Sequence, residues 1–316
     1  MRASRATAGR ERPAALALLG LLALLALLAP GFFSPANLRD VVMQNVAVQV
    51  IAIGMLLVVL TGQIDVSVGA SFGVCAVALG VLARDGVPVP LAASLAVLLG
   101  ATIGLTNGVL VGGLGLPSIV VSLAMLVVLR DGLRWATEGA WVRDLPAAFQ
   151  WFGLGQSAGE GVIIGAALIL IALAGWGLRH LAAGRALYGS GSDPESARLA
   201  GLSPSLVTMG AFAACGGLTG LAAVLNAVRF GEVPGASGAG LELKVIAAVI
   251  VGGAAVTGGR GSTLGTVLGV ALLGAIGTGL TFLGVSAYWE HAVQGTIILA
   301  AILSERAASR AVRAHA

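Results

Sequence analysis

The chain is a succession of apolar blocks, each near the ~20 residues a helix needs to cross a bilayer, separated by short polar stretches. Blocks at 14–29, 41–61, 64–83, 89–112, 117–135, 160–182, 206–228, 243–257, 264–283 and 288–303 predict about ten transmembrane helices, three of them short. The expected fold is an all-α polytopic membrane protein with broken or short helices near the middle. The one long polar segment between two membrane-length runs is 185–206, RALYGSGSDPESARLAGLSPSL. Within it Ser192 or Asp193 suits a helix cap, Pro194 the first helical position, and Glu195 stands in capping-box spacing from Ser192. Gly201 is placed to stop the helix in the left-handed conformation. A helix over Pro194 to Ala200 is too short to be stable alone. It is either a docking helix, with Ala197, Leu199, Ala200 and Leu202 turned to a partner, or a capped loop helix on the membrane surface.

Composition changes little and charge adds direction. Of 316 residues 58% are apolar and 10% charged, far below the quarter usual in soluble domains. The net charge of +4 gathers at the ends: Arg2, Arg5, Arg10 and Arg12 against Glu11, and Arg306, Arg310 and Arg313 against Glu305. The positive-inside rule puts both ends in the cytoplasm, which an even number of spans requires. The expected organisation is a tail at 1–13, a membrane domain at 14–303 containing the cytoplasmic loop 185–206, and a tail at 304–316. The 136–160 loop, with Glu138, Asp144 and Glu160 against Arg143, falls outside. Cys75 and Cys215 lie in apolar runs without pairing or metal spacing and read as packed thiols.

Two segments mark irregular spans. TGQIDVSVG, 61–69, joins two apolar runs with almost no room for a loop, and its Asp65 is costly unless buried in protein or reached by water. Asp65 is either a cap for the following helix or, with Ser67, part of a solute path. VTGGRGSTLG, 256–265, is a glycine-rich turn entering the ninth span. Glycines at four-residue spacing, Gly104, Gly108 and Gly112, then Gly261, Gly265 and Gly269, with Gly69 and Gly73 and Gly216 and Gly220 as shorter cases, predict close helix packing. NGVLVGGLGLP at 107–117 and TGLTFLGVS at 278–286 share a weak pattern before the last span of each half. Five spans per half is odd, so related halves would be inverted about the membrane plane.

Catalytic chemistry is poorly represented. There is no H-E-x-x-H, no G-x-S-x-G and no cluster of His with carboxylates; the sole lysine, Lys244, lacks a phosphate-loop context. No cofactor or metal site is expected. Few ionisable groups lie within the spans, which disfavours a proton relay. The polar groups inside them are Asn45 and Gln49 one turn apart, Asn107, Asn226, Thr278 and Gln294, suited to interhelical hydrogen bonds or to a neutral polyhydroxy solute. Trp135, Trp141 and Trp151, with Phe149 and Phe152, read as an interfacial belt.

These residues resemble the permease subunits of ribose-type sugar importers of the ATP-binding-cassette class, over nearly the whole chain. TGQIDVSVG is similar to that family's Gly-x-Ile-Asp-Leu-Ser-Val-Gly segment, NGVLVGGLGLPSIVVSLAML to its fourth-to-fifth-span junction and YGSGSDPESARLAGLSP to its coupling stretch. GAGLELKVIAAVIVGGAAVTGGRGSTLGTVLGV, 238–270, matches best. GVCAVALG and LRWATEGAWVRDLP resemble the rhamnose and autoinducer-2 branch. Gln63 and Lys244 depart from the family's usual residues.

The resemblance implies cytoplasmic ATPase subunits as partners, a periplasmic solute-binding protein, a second permease copy or homologue, and residence in the bacterial inner membrane. It assigns coupling to Asp193, Pro194, Glu195, Ala197, Leu199 and Gly201. The alternatives are an ion-coupled secondary transporter of a small neutral solute, a permease for branched-chain amino acids and a membrane-bound enzyme.

Overall fold

The computed structural model describes residues 11–286 and, beyond them, only 289, 292, 293, 295, 296 and 299. Gln294 and most of the tenth apolar run therefore lie outside the described residues. Eleven α-helices are described: α1 Glu11–Leu28, α2 Pro35–Leu60, α3 Val68–Arg84, α4 Val89–Gly108, α5 Ser118–Thr137, α6 Gln156–His180, α7 Ala182–Ser192, α8 Pro194–Leu199, α9 Pro204–Ala227, α10 Leu241–Val251 and α11 Thr263–Phe282. Nine of them fall on nine of the ten apolar blocks; α7 and α8 occupy the polar stretch. No named strand occurs among the described residues, and one isolated bridge ties Val142 to Val233.

The expectation of about ten full spans is met only in part. Six helices are long and apolar enough to cross a membrane: α1, α2, α4 with the π turn Val109–Gly113 that continues it, α6, α9 and α11. The other three have separate reasons. α5 carries Arg130, Asp131 and Arg134. α3 has 17 residues because the chain stays non-helical from Gly62 until it has satisfied Asp65. α10 has 11 because 228–240 runs without regular structure before it.

That irregular segment lies along α3. A Cβ on Gly80 would meet Val233 and Val142, one on Gly73 would stand 2.5 Å from the Ser237 carbonyl, and one on Gly69 would collide with Gly238 and the Glu242 carboxylate. The first turns of α3 and α10 therefore meet inside the bundle, each after a break in the chain.

α2 is the centre, with Ile51, Met55, Leu56 and Leu60 fully buried among α6, α9, α10 and α11. Leu27 of α1, Leu98 of α4, Val128 of α5 and Leu168 of α6 point outward, as lipid-facing side chains do. Lipid removes most of the hydrophobic drive between such helices, leaving packing to hold them together. The closest contact is α4 on α9. A Cβ on Gly108 would lie 2.9 Å from the Met209 Cα, on Gly112 2.6 Å from the Ser205 carbonyl, and on Gly104 3.0 Å from the Gly216 Cα. Gly100 extends the ladder, and Gly216 and Gly220 answer it from α9. The second ladder is split: Gly265 and Gly269 pack α11 on the C-terminal end of α10, whereas Gly261 precedes the Ser262 cap and meets Leu56 from the turn.

Candidate functional site

The polar stretch folds as two helices at one end of the bundle. α7 ends at Ser192, and Asp193, in extended conformation, caps α8. Its Oδ1 accepts from the backbone N–H groups of Glu195 and Ser196 at 3.1 Å each, and its Oδ2 from the Ser196 hydroxyl at 2.5 Å. The Ser192–Glu195 box is replaced by this cap, because Ser192 is the last residue of α7. The Ser196 hydroxyl and the two amides hold the Asp193 carboxyl below its ordinary range. Pro194 takes the first helical position, Ala200 ends the helix, and Gly201 follows at φ 83°.

The expected apolar face divides. Ala197 is buried against the chain itself, whereas Leu199 is 87% exposed and Leu202 and Ala200 are also exposed. Leu199 is a large apolar side chain held out on a capped helix.

Behind α8 three chain segments meet backbone to backbone. Gly191 lies on the Leu60 carbonyl and would place a Cβ 2.7 Å from the Gly259 nitrogen. Gly259, at φ 69°, donates its N–H to that same Leu60 carbonyl at 2.9 Å. Gly258, at φ 86°, would place a Cβ 2.8 Å from the Gly191 carbonyl and 2.7 Å from the Gly62 nitrogen. The Tyr188 hydroxyl donates to the Gly261 carbonyl at 2.8 Å. The last turn of α7 is thus joined to the break after α2 and to the turn before α11.

The break at 61–67 is closed by side chains. Asp65, 2% exposed, accepts from the Ser67 N–H at 2.9 Å and the Ser67 hydroxyl at 2.6 Å. Asn107 of α4 donates to Ser67 Oγ at 2.9 Å and stands 3.5 Å from both Asp65 oxygens. The Ser118 hydroxyl accepts from the Ile64 N–H at 3.3 Å. Asp65, Ser67 and Asn107 form one buried cluster that starts α3, and they border neither cavity described below. Asn45 donates to the Val41 carbonyl and packs against Gly274. Gln49 is buried beside the core of α2, and Thr278 is half-buried on α11.

Two neighbouring cavities share Asn226. One, of about 270 Å³, is bordered by Gln44, Phe72, Asn226, the backbone of Gly238 and Gly240, and Lys244. The other, of about 220 Å³, is bordered by Trp141, Phe230, Glu232 and Ser237. Beside the first, Glu242 receives the Arg130 guanidinium at 3.2 Å from both oxygens. Beside the second, Arg143 pairs with Glu232 at 3.3 Å. Sequence reasoning missed Gln44 and Arg130 and gave Lys244 no role. The available signal was an isolated Glu and Lys opening an apolar run. Trp141 borders a cavity, Phe149 is fully buried, and Trp135 is exposed, so the aromatic group does not act as one belt.

With this geometry in view, comparisons with known proteins define the class. Residues 37–302 match the family described as branched-chain amino acid transport system / permease component, and the chain belongs to that family. It is a multi-pass permease subunit of an ATP-binding-cassette importer.

Among its relatives is the autoinducer 2 import system permease protein LsrC of Salmonella typhimurium, 35% identical over 294 residues, 93% of this chain and 85% of that one. The protein of the same name from Enterobacter sp. is 33% identical over 306 residues, 97% and 89% of the two chains. That from Escherichia coli K12 is 37% identical over 253 residues, 80% and 74%. No solved structure matches significantly.

Proposed function

We propose that this chain forms the membrane path of an inner-membrane importer for a sugar or sugar-like solute and is driven by separate cytoplasmic ATPase subunits. A periplasmic solute-binding protein delivers the solute, and a second permease copy or homologue completes the path. Both chain ends are cytoplasmic, residues 1–13 and 304–316 flanking a single membrane domain. The importer relatives favour this over an ion-gradient transporter, and the autoinducer 2 in their names favours a sugar-like cargo over an amino acid. The ten-span, inverted arrangement draws support from two matching pieces: α2, a break and α3, then α9, a break and α10, the second following the first by five spans.

The observation that carries the reading is Leu199, 87% exposed on a helix capped by Asp193, anchored by Ala197 and stopped at Gly201. A short helix presenting one apolar anchor suits a groove on a partner. Its base is joined through Gly191 to the breaks around α2 and α11, so displacement of α8 by an ATPase reaches the membrane domain. Asn45, Gln49, Asp65, Ser67, Asn107 and Thr278 then shape the domain that moves, and the cavities around Asn226 hold the solute.

Leu199→Asp tests this. Burying a leucine is worth ~2 kcal/mol, and a carboxylate in an apolar groove adds a further penalty. ATPase association should fall by well over tenfold, since each ~1.4 kcal/mol is tenfold, and uptake should stop while protein level stays normal. Ala183→Asp, exposed in the first turn of α7, is the control and should be mild. Full ATPase copurification and uptake with Leu199→Asp, or uptake by the wild type on an ion gradient alone, would refute the proposal.

A further inference from the structure

Residues 140–143 and 232–235 run side by side over α3. Val142 and Val233 exchange backbone hydrogen bonds at 2.9 Å in both directions, and a Cβ on Gly235 would stand 2.5 Å from the Ala140 carbonyl. Side chains alternate across such a pair. With Val142 and Val233 buried over Gly80, the residues flanking them turn to the other face, where Arg143 and Glu232 meet at 3.3 Å. The 220 Å³ cavity opens on that face, bordered by Trp141, Phe230, Glu232, Pro234, Ser237 and, at the end of α9, Asn226. Trp141 and Phe230 are half-exposed rings. Phe230 is fixed by Arg229, whose guanidinium lies over the ring at 5.3 Å and donates to the Met43 carbonyl at 2.9 Å. The polar groups are arranged beside the rings. Arg143 engages Glu232 through Oε2, which leaves Oε1 as an acceptor. The Ser237 hydroxyl donates to the Pro234 carbonyl at 2.8 Å and keeps its lone pairs, and Asn226, with Arg229 3.5 Å from its Oδ1, offers its NH2 as a donor.

At ~30 Å³ per water-sized group, this cavity admits about seven non-hydrogen atoms, enough for a furanose or pyranose ring whose substituents extend past the two aromatics. We infer that it is a binding site for the ring face of a cyclic sugar: Trp141 and Phe230 bear on the C–H bonds of one face, while Glu232, Ser237 and Asn226 take hydroxyls at the ring's edge. The inference rests on reading the cavities around Asn226 as the solute path and goes beyond it by fixing the shape of the cargo, a closed ring and not an open chain. A closed ring gathers its C–H bonds into a flat, slightly positive apolar face that complements the negative face of an aromatic ring. An open-chain polyol of the same length spreads those bonds around a flexible backbone and loses rotational freedom when it is bound. Rings that serve only as interfacial anchors need neither a cavity nor convergent polar groups beside them.

The test uses the purified full-length permease with D-ribose and D-glucose as ring probes and ribitol and D-glucitol as their open-chain counterparts, followed by calorimetry and tryptophan emission. An aromatic contact of this kind is worth about tenfold in affinity, so at least one sugar should bind about that much more tightly than its alcohol and should shift the emission. Trp141→Ala and Phe230→Ala should each abolish the preference. Trp141→Tyr keeps an aromatic face and should bind the sugar by calorimetry while losing the emission change. Trp135→Ala, exposed and outside the cavity lining, should leave both signals as in the wild type. Equal binding of sugar and alcohol, a preference that survives Trp141→Ala, an emission change that survives Trp141→Tyr, or no response to any of the four probes overturns the site. Should Trp141→Ala fail to purify, Trp141→Tyr decides alone.

ATPase copurification is measured on the same preparations. If the ATPase associates and no ring preference exists, the aromatic site alone fails. If no ATPase associates with the wild type, the importer reading fails whatever the cavity binds.

Discussion

Between α4 and α9, Gly100 and Gly104 face Gly216 and Gly220 while Gly108 and Gly112 face the backbone of Met209 and Ser205; behind α8, four glycines from three separate segments meet beside the Leu60 carbonyl. The α4–α9 seam repeats a single contact at Gly100, Gly104, Gly108 and Gly112, so its strength is distributed and its geometry is that of two stiff rods. Around the junction of Gly62, Gly191, Gly258 and Gly259 the segments are tied by unlike hydrogen bonds, from the Gly259 N–H to the Leu60 carbonyl and from the Tyr188 hydroxyl to the Gly261 carbonyl, with no repetition. In lipid, where backbone approach replaces hydrophobic burial as the source of cohesion, the first suits holding a fold and the second suits passing on a movement. The same residue type serves both because each needs a missing Cβ. What differs is how many contacts share the load.

The comparison breaks most visibly at Gly104. A leucine there must displace the Phe212 carbonyl and the Gly216 backbone of a helix that has no slack. Overpacking of this kind costs ~1–3 kcal/mol or more, and Gly104→Leu should lower the yield of monodisperse permease several-fold. Thr102→Leu, exposed on the same helix, should leave the yield unchanged. Equal elution profiles for the two variants would mean that the α4–α9 contact does not hold the fold.

At the junction the same insult should read out differently. Gly191→Ala adds one methyl against the Leu60 carbonyl and the Gly259 nitrogen, which forces the end of α7 away from the breaks without touching the exposed face of α8. Folded yield and ATPase association should stay near wild type while uptake falls by about tenfold and ATP hydrolysis continues. Gly189→Ala, whose Cβ would have only Leu202 at 3.8 Å, should transport normally. Normal uptake by Gly191→Ala would show that α7 transmits nothing through this point.

The two regions were unequally legible in the sequence. Gly104, Gly108 and Gly112 are four apart on one helix, so the seam shows as a period, and its partner Gly216 and Gly220 shows as a second. The junction has no period: Gly62, Gly191 and the Gly258–Gly259 pair are brought together by tertiary structure, and only the positive φ that Gly62, Gly258 and Gly259 adopt distinguishes them. Gly261 illustrates the opposite error. It keeps the four-residue spacing to Gly265, yet Ser262 caps α11 after it, and spacing alone does not locate a helix start.

Asp65 was identified as a buried break-former, but Asn107, 42 residues away, needed the fold to reach it. The cavity around Asn226 and Lys244 was not legible, because Gln44, Phe72 and the 238–244 segment converge from three places, and a single Lys in an apolar run carries no spacing to read.

The smallest effect is expected at Asp193, which borders the junction and contributes only a cap. It is fully exposed, and its carboxyl is held below the ordinary aspartate value of 3.8 by the Ser196 hydroxyl and by the amides of Ser196 and Glu195. A group whose folded value is depressed stabilises the structure at pH above its unfolded value and loses that contribution as pH falls through the folded one. The cap is therefore fully present at neutral pH and fades only in acid, below the ordinary aspartate range. Asp193→Ala removes the acceptor for both amides and should fray the first turn of α8, weakening ATPase association by less than Leu199→Asp does and leaving folded yield alone. Asp193→Asn keeps a side-chain oxygen and should fall between Asp193→Ala and the wild type. Association measured from neutral to acidic pH should show a loss attributable to this cap in the wild type and none in Asp193→Asn. If both lose binding in parallel as the pH falls, the Asp193 carboxylate is not the group that titrates, and α8 keeps its shape through its junction with α7 alone.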